Sequence, residues 1–142
     1  MADLSITAAN VAIGSLTVPT RPVQYGESVT QGQPVYRATD GKWYKCDANN
    51  TATKAVCDGI VLTPGASDGF GIVMLPGSSP GQSPVIIGAT LSVGMQYAIS
   101  TTAGGIRPIT DAASTEFVTT IGTATTASVL DFVVTVATVA RA

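Results

Sequence analysis

Histidine is absent from the 142 residues of this chain. With it go the commonest general base, the commonest zinc ligand besides cysteine, and every Ser-His or Cys-His nucleophile arrangement. Charge is scarce as well: charged residues make up 11% of the chain, against roughly 25% in an average globular protein. Seven Lys and Arg stand against nine Asp and Glu, a net charge of −2. The basic residues Arg21, Arg37, Lys42, Lys45, Lys54, Arg107 and Arg141 are scattered, which leaves no dense footprint for a nucleic-acid backbone. No apolar run is long enough to cross a bilayer as a helix, since the best stretch, residues 128–140, carries Asp131. The N-terminus lacks the basic start and apolar run of a secretory signal, so synthesis in the cytoplasm is expected. Cysteine occurs twice, at Cys46 and Cys57, too few for a four-ligand zinc site without histidine or a partner chain.

What is present is β-forming and strongly punctuated. Apolar residues make up 45% of the chain, enough to fold, where disordered chains lean towards charge. Short runs rich in β-branched and aromatic residues recur between turn clusters: 34–37, 42–45, 55–62, 70–75, 84–87, 95–99, 106–109, 117–124 and 129–139. Many short strands at this spacing predict an all-β barrel or sandwich. Asp40-Gly41 suits a tight hairpin needing positive φ, and Gly104-Gly105 offers the same freedom. Residues 76–84, rich in Pro, Gly and Ser, read as a linker or projecting loop.

An internal repeat organises these runs. Gly26-Glu27-Ser28-Val29-Thr30-Gln31-Gly32-Gln33 lines up with Gly88-Ala89-Thr90-Leu91-Ser92-Val93-Gly94-Met95. The match continues in register: Val35 aligns with Tyr97, Asp40 to Trp43 with Ala103 to Ile106 after one inserted residue, and the strand from Val56 with that from Val118. Two duplicated units are expected, about 26–87 and 88–142, within a β domain of residues 23–142. In each octet an aliphatic side chain, Val29 or Leu91, plugs into the core between glycines that take backbone angles a β-carbon resists. The structural turns are thus assigned to Gly26, Gly32, Gly88, Gly94, Gly104 and Gly105. Ahead of the domain, residues 1–22 read as an extended arm ending at Pro19-Thr20-Arg21-Pro22. Its apolar residues Leu4, Ile6, Val11, Ile13, Leu16 and Val18 suit short strands that pair with the chain's own domain or add to a neighbour's sheet edge.

No constellation of catalytic residues emerges. Asp40, Asp47, Asp68 and Asp111 fall in turns, where Asp caps backbone, and Asp58 completes the carboxylates available for paired acid–base work. No glycine-rich phosphate motif is present, and no cofactor or metal site is expected. Lys42 and Lys45 flank Trp43 and Tyr44, a small stacking platform or, more simply, a solvated hairpin edge. Tyr25, Tyr36, Tyr97, Phe70, Phe117 and Phe132 are spread over many strands as core or interface anchors. Cys46 and Cys57 either oxidise across a hairpin or pack as two small apolar residues. Asn49-Asn50-Thr51 is formally a glycosylation triplet, without weight in the absence of a signal peptide.

The repeat, the turn Asp40-Gly41-Lys42-Trp43-Tyr44-Lys45 and the segment Tyr97-Ala98-Ile99-Ser100-Thr101-Thr102-Ala103-Gly104-Gly105-Ile106-Arg107-Pro108 resemble the capsid decoration (cement) proteins of tailed bacteriophages. The likeness spans Arg21 to Ala142. It implies a non-enzymatic virion protein on the capsid exterior, bound to the major capsid protein at capsomer junctions, often as a trimer, with no nucleic-acid or membrane partner. On this view the arm residues Leu4, Ile6, Val11, Ile13, Leu16 and Val18 form a capsid or subunit interface. A head-fibre or tail-associated receptor-binding module, gripping through residues 76–84, is the alternative. The short Gly turns also resemble biotinyl and lipoyl carrier domains, but the flanks of Lys42, the candidate for the modified lysine, do not match that motif.

Overall fold

Strands in this chain are short because glycine, proline and hydroxyl residues interrupt every apolar run within a few positions. A computed structural model describes residues 3–48, 54–111 and 116–136. The glycosylation triplet, the expected strand end at Val139 and the domain end at Ala142 lie outside them. Among the described residues, eleven strands form two antiparallel sheets packed as a sandwich, which is not closed into a barrel. Strands β2 (Thr20–Gln24), β3 (Pro34–Arg37), β4 (Trp43–Lys45), β5 (Gly59–Val61) and β6 (Phe70–Met74) make the first sheet, in the order β2-β6-β5-β3-β4. Strands β7 (Pro84–Ile86), β8 (Gln96–Ile99), β9 (Ile106–Pro108), β10 (Thr120–Ala124) and β11 (Val129–Thr135) make the second, in the order β7-β11-β10-β8-β9, with β1 (Ala12–Ile13) added outside β7.

The two orders correspond strand for strand, and the hydrogen bonds around the octets repeat. Val29 N donates to Gly65 O at 2.9 Å and Leu91 N to Ala127 O at 2.7 Å. Gly32 N donates to Val61 O at 2.9 Å and Gly94 N to Ala124 O at 2.8 Å, each in left-handed conformation. The structural units nevertheless begin one strand earlier than the repeat suggests. The segments before the octets, residues 20–24 and 84–86, form β2 and β7 instead of an arm end and a unit end. Their prolines disguise them as breaks. In β2, Tyr25 N donates to Gly69 O and Leu75 N to Pro19 O, so alternation points the nitrogen of Pro22 away from β6, where no ladder bond is lost.

The sheets stack in the same sense rather than as mirror images. Val61 and Val73, paired across β5 and β6, point away from the second sheet into a satellite core with Val23, Tyr25, Val29, Val35 and Trp43. Their counterparts Ala124 and Leu130 point towards the first sheet. The main core therefore joins Tyr36, Ile60 and Met74 on one side to Val85, Tyr97, Ile99, Ile106, Ile121, Leu130 and Phe132 on the other. Truncating a side chain such as Phe132 to alanine would cost about 3–5 kcal/mol.

The arm takes the first of its two expected courses, pairing with its own domain. It runs as a strap over its own domain: Leu4 N donates to Ile106 O at 2.7 Å, Thr7 N to Gly88 O at 2.8 Å, and Ala12 and Ile13 pair with Ile86 and Val85. Val11 and Val18 are buried, and Leu4, Ile6 and Ile13 pack on the main core. Leu4, Ile6 and Ile13 keep part of their surface exposed along the strap, while the apolar edge left by β7 and β9 takes up the rest.

Candidate interaction surface

Among the described residues the edges of β4, β7 and β9 are covered, which leaves the two-residue β1 and the five-residue β2 outermost. Segment 25–27 lies against β4 through a Tyr25–Trp43 bridge, Gly26 N to Trp43 O at 2.9 Å and Lys45 N to the Glu27 carboxylate at 3.0 Å. Leu4 covers β9 and β1 covers β7. Strand β2 remains open, blunted by Pro22. Beside it, β6 carries Phe70, Ile72 and Met74 on one face. Met74 is sealed in the main core, Ile72 is 43% exposed and Phe70 76%. Pro22 stands opposite Ile72 and Gln24 opposite Phe70. The inner face of the first sheet thus runs out from under the second as an apolar ledge. In the sequence Phe70 is one general anchor among several, because Phe70, Ile72 and Met74 alternate with Gly71 and Val73 and neither face reads as polar. Leu16, at 97%, is the sole arm residue of the six left open; it tips a turn held by Val18 N to Ser15 O at 3.3 Å. Val93 and Val136 are exposed singly.

The carboxylates are occupied with local structure. Asp40 accepts from Lys42 N at 2.9 Å and from the Tyr44 hydroxyl at 2.7 Å, which hold its carboxyl below the usual range. Asp58 accepts from Arg37 N at 2.9 Å, and Asp68 pairs with Lys42 Nζ at 2.6 Å. Asp131 accepts from Gly81 N on both oxygens at 3.1 Å. Among the described residues no three His, Cys, Asp or Glu side chains converge as a metal set. A cleft of about 510 Å³ lined by Thr17, Pro19, Pro76, Gly77, Ser78 and Gln82 holds no titratable group. Trp43 is buried in the satellite core, so residues 42–45 offer no indole for stacking.

Other expectations are refined. The 76–84 segment is pinned and not free: besides Gly81, Gly77 N donates to Phe132 O at 2.9 Å and Ser78 N to Gln82 Oε1 at 2.8 Å. The Asp40-Gly41 hairpin closes between Ala38 and Lys42, with Gly41 in left-handed conformation, one residue longer than the tightest form. Gly32, Gly88, Gly94 and Gly104 have positive φ, whereas Gly26 and Gly105 do not. Gly26 is required instead by space, since a Cβ there would run into the Tyr44 ring. At Gly105 a Cβ would sit 2.7 Å from the Asp3 carboxylate.

Cys46 and Cys57 are free thiols, both buried in the main core. Burial, together with a hydrogen bond to Cys57, pushes the Cys46 thiol well up. A feature unforeseen from sequence is the buried ion pair of Arg107 with Glu116, 2.5 Å apart, which latches the β9–β10 connection to the outer face of β9. The signal available for it was an Arg between Ile106 and Pro108 inside a strand. No family model, curated protein or solved structure matches the chain.

Proposed function

We propose that this chain is a structural protein of a tailed-bacteriophage virion. It binds the major capsid protein on the outside of the assembled head at capsomer junctions, assembles there as a trimer, and resists the pressure of packaged DNA. The reading supposes no catalytic centre and no cofactor. The observation that carries it is the open apolar ledge of Phe70, Ile72 and Pro22, in a chain with few charges to solvate such a surface. The turn and hairpin motifs that resemble decoration proteins support the same reading. A gripping fibre module fits less well, because residues 76–84, although exposed from Ser78 to Gln82, are tied to Asp131 and Phe132 and braced by Gln82 within the loop.

Mixing the purified protein with undecorated heads and sedimenting them tests the proposal. Saturable binding in numbers that match capsomer junctions is the expected result. Attachment to bacterial cells, with none to heads, would overturn it.

A further inference from the structure

Cys46 and Cys57 mark the two ends of the connection between β4 and β5. Asp47 N donates to Lys54 O at 2.8 Å, which brings the limbs of the connection side by side. Cys46 Sγ donates to Val56 O at 2.9 Å, one residue from Cys57, and Cys57 Sγ lies 3.5 Å from Gly59 O. Both thiols sit on the side of the first sheet that faces the second, among apolar neighbours including Tyr36, Ile60 and Met74. The Cys46 thiol is also hydrogen-bonded to Cys57, so the two unbonded thiols are direct neighbours.

We propose that this pair is a redox-operated staple, open as thiols and closed to a disulfide by exchange with a low-molecular-weight disulfide. One cysteine thiolate attacks a sulfur of the small disulfide and expels a small thiolate. The second cysteine then attacks the protein-bound sulfur of the mixed disulfide, forming the Sγ–Sγ bond and expelling the other small thiolate. Two electrons pass to the small disulfide, whose halves take up the two protons that the cysteines lose. Burial sets the pace, because the thiolate is the attacking species and a dry core disfavours it. Closure cross-links a loop of about a dozen residues and so restricts the unfolded chain. The inference is independent of the capsid reading, since the bond is measured on the isolated chain.

The test incubates the purified protein with oxidised glutathione at neutral pH and follows mass, thiol content and melting temperature. The expected product has lost two hydrogens, shows no thiol after denaturation and retains no glutathione. It melts higher by roughly 5–10 °C, and dithiothreitol reverses the rise. Cys46→Ala and Cys57→Ala, which keep the sites apolar, show no rise. Retained glutathione on the wild-type chain, two thiols persisting after prolonged incubation, or a bridged form melting no higher than the reduced one would each overturn the proposal.

Discussion

Gly88 and Gly94 bound the second octet, and they ask different things of a substituent. Both have positive φ, +73° and +84°. A Cβ at Gly94 meets nothing within 4 Å, whereas at Gly88 it would lie 2.5 Å from the carbonyl oxygen of Thr7, on the strap. Gly94→Ala should therefore cost only the backbone strain, about 1 kcal/mol, and Gly88→Ala about 2–4 kcal/mol, because the strap must also shift. Urea midpoints of the two variants check the difference, and equal losses would refute it. Tyr25 carries a second residue-scale expectation. Its hydroxyl donates to Thr63 O at 2.6 Å, and burial pushes its pKa from 10.0 up to about 12. Since the folded value lies above the unfolded one, the stabilisation is complete below pH 10.0 and is lost as pH rises towards 12. Wild type should exceed Tyr25→Phe by about 1 kcal/mol at neutral pH. That gap should close in alkaline denaturation curves. The octet glycines were legible in the sequence because fixed spacing betrays them, but the reason at Gly26 was not, since it depends on where the Tyr44 ring lands.

Strands β2 and β7 and the strap show what periodicity leaves out at the scale of elements. The hairpins β3–β4 and β8–β9 announce themselves through turn glycines next to aromatic or β-branched runs. Strand β2 was hidden because Pro22 reads as a breaker, and only the ladder tells that its nitrogen faces the open edge. That edge yields a prediction. Pro22→Val restores an outward N–H without touching the bonds to β6, so it should promote strand addition and self-association. Sedimentation velocity should then show larger species than the wild type at the same concentration. The strap was hidden for a different reason: apolar residues in an arm do not say which surface they cover. Deleting residues 2–18 removes Val11, Val18 and β1. It should cost on the order of 5 kcal/mol, visible as a fall in melting temperature, rather than merely detaching a tether. A truncated chain as stable as the full one would show that the strap is dispensable.

For the whole molecule, stacking in one sense has a consequence that mirror packing would not. The octet side of the second unit lies on the first, while the octet side of the first is closed by its own satellite core. The two ends of the stack therefore differ, and between the sheets Phe70 and Ile72 emerge on the inner face of the first. Composition made an all-β chain legible, because scarce charge and frequent turn residues leave few other solutions. The ledge was not legible, since overhang of one sheet past another is decided by packing and not by pattern. If this ledge is the surface that meets the capsid, Phe70→Ser with Ile72→Thr should weaken binding to undecorated heads by more than about tenfold, given the weight of central aromatic anchors. The same pair should lower stability by only about 1–2 kcal/mol, because Phe70 is largely in solvent and Ile72 partly so. Leu16→Ser is the natural control, a still more exposed apolar residue on the strap. Heads that still bind the double variant but lose Leu16→Ser would move the contact from the ledge to the strap turn, whereas retention of both variants would leave neither surface with a role in binding.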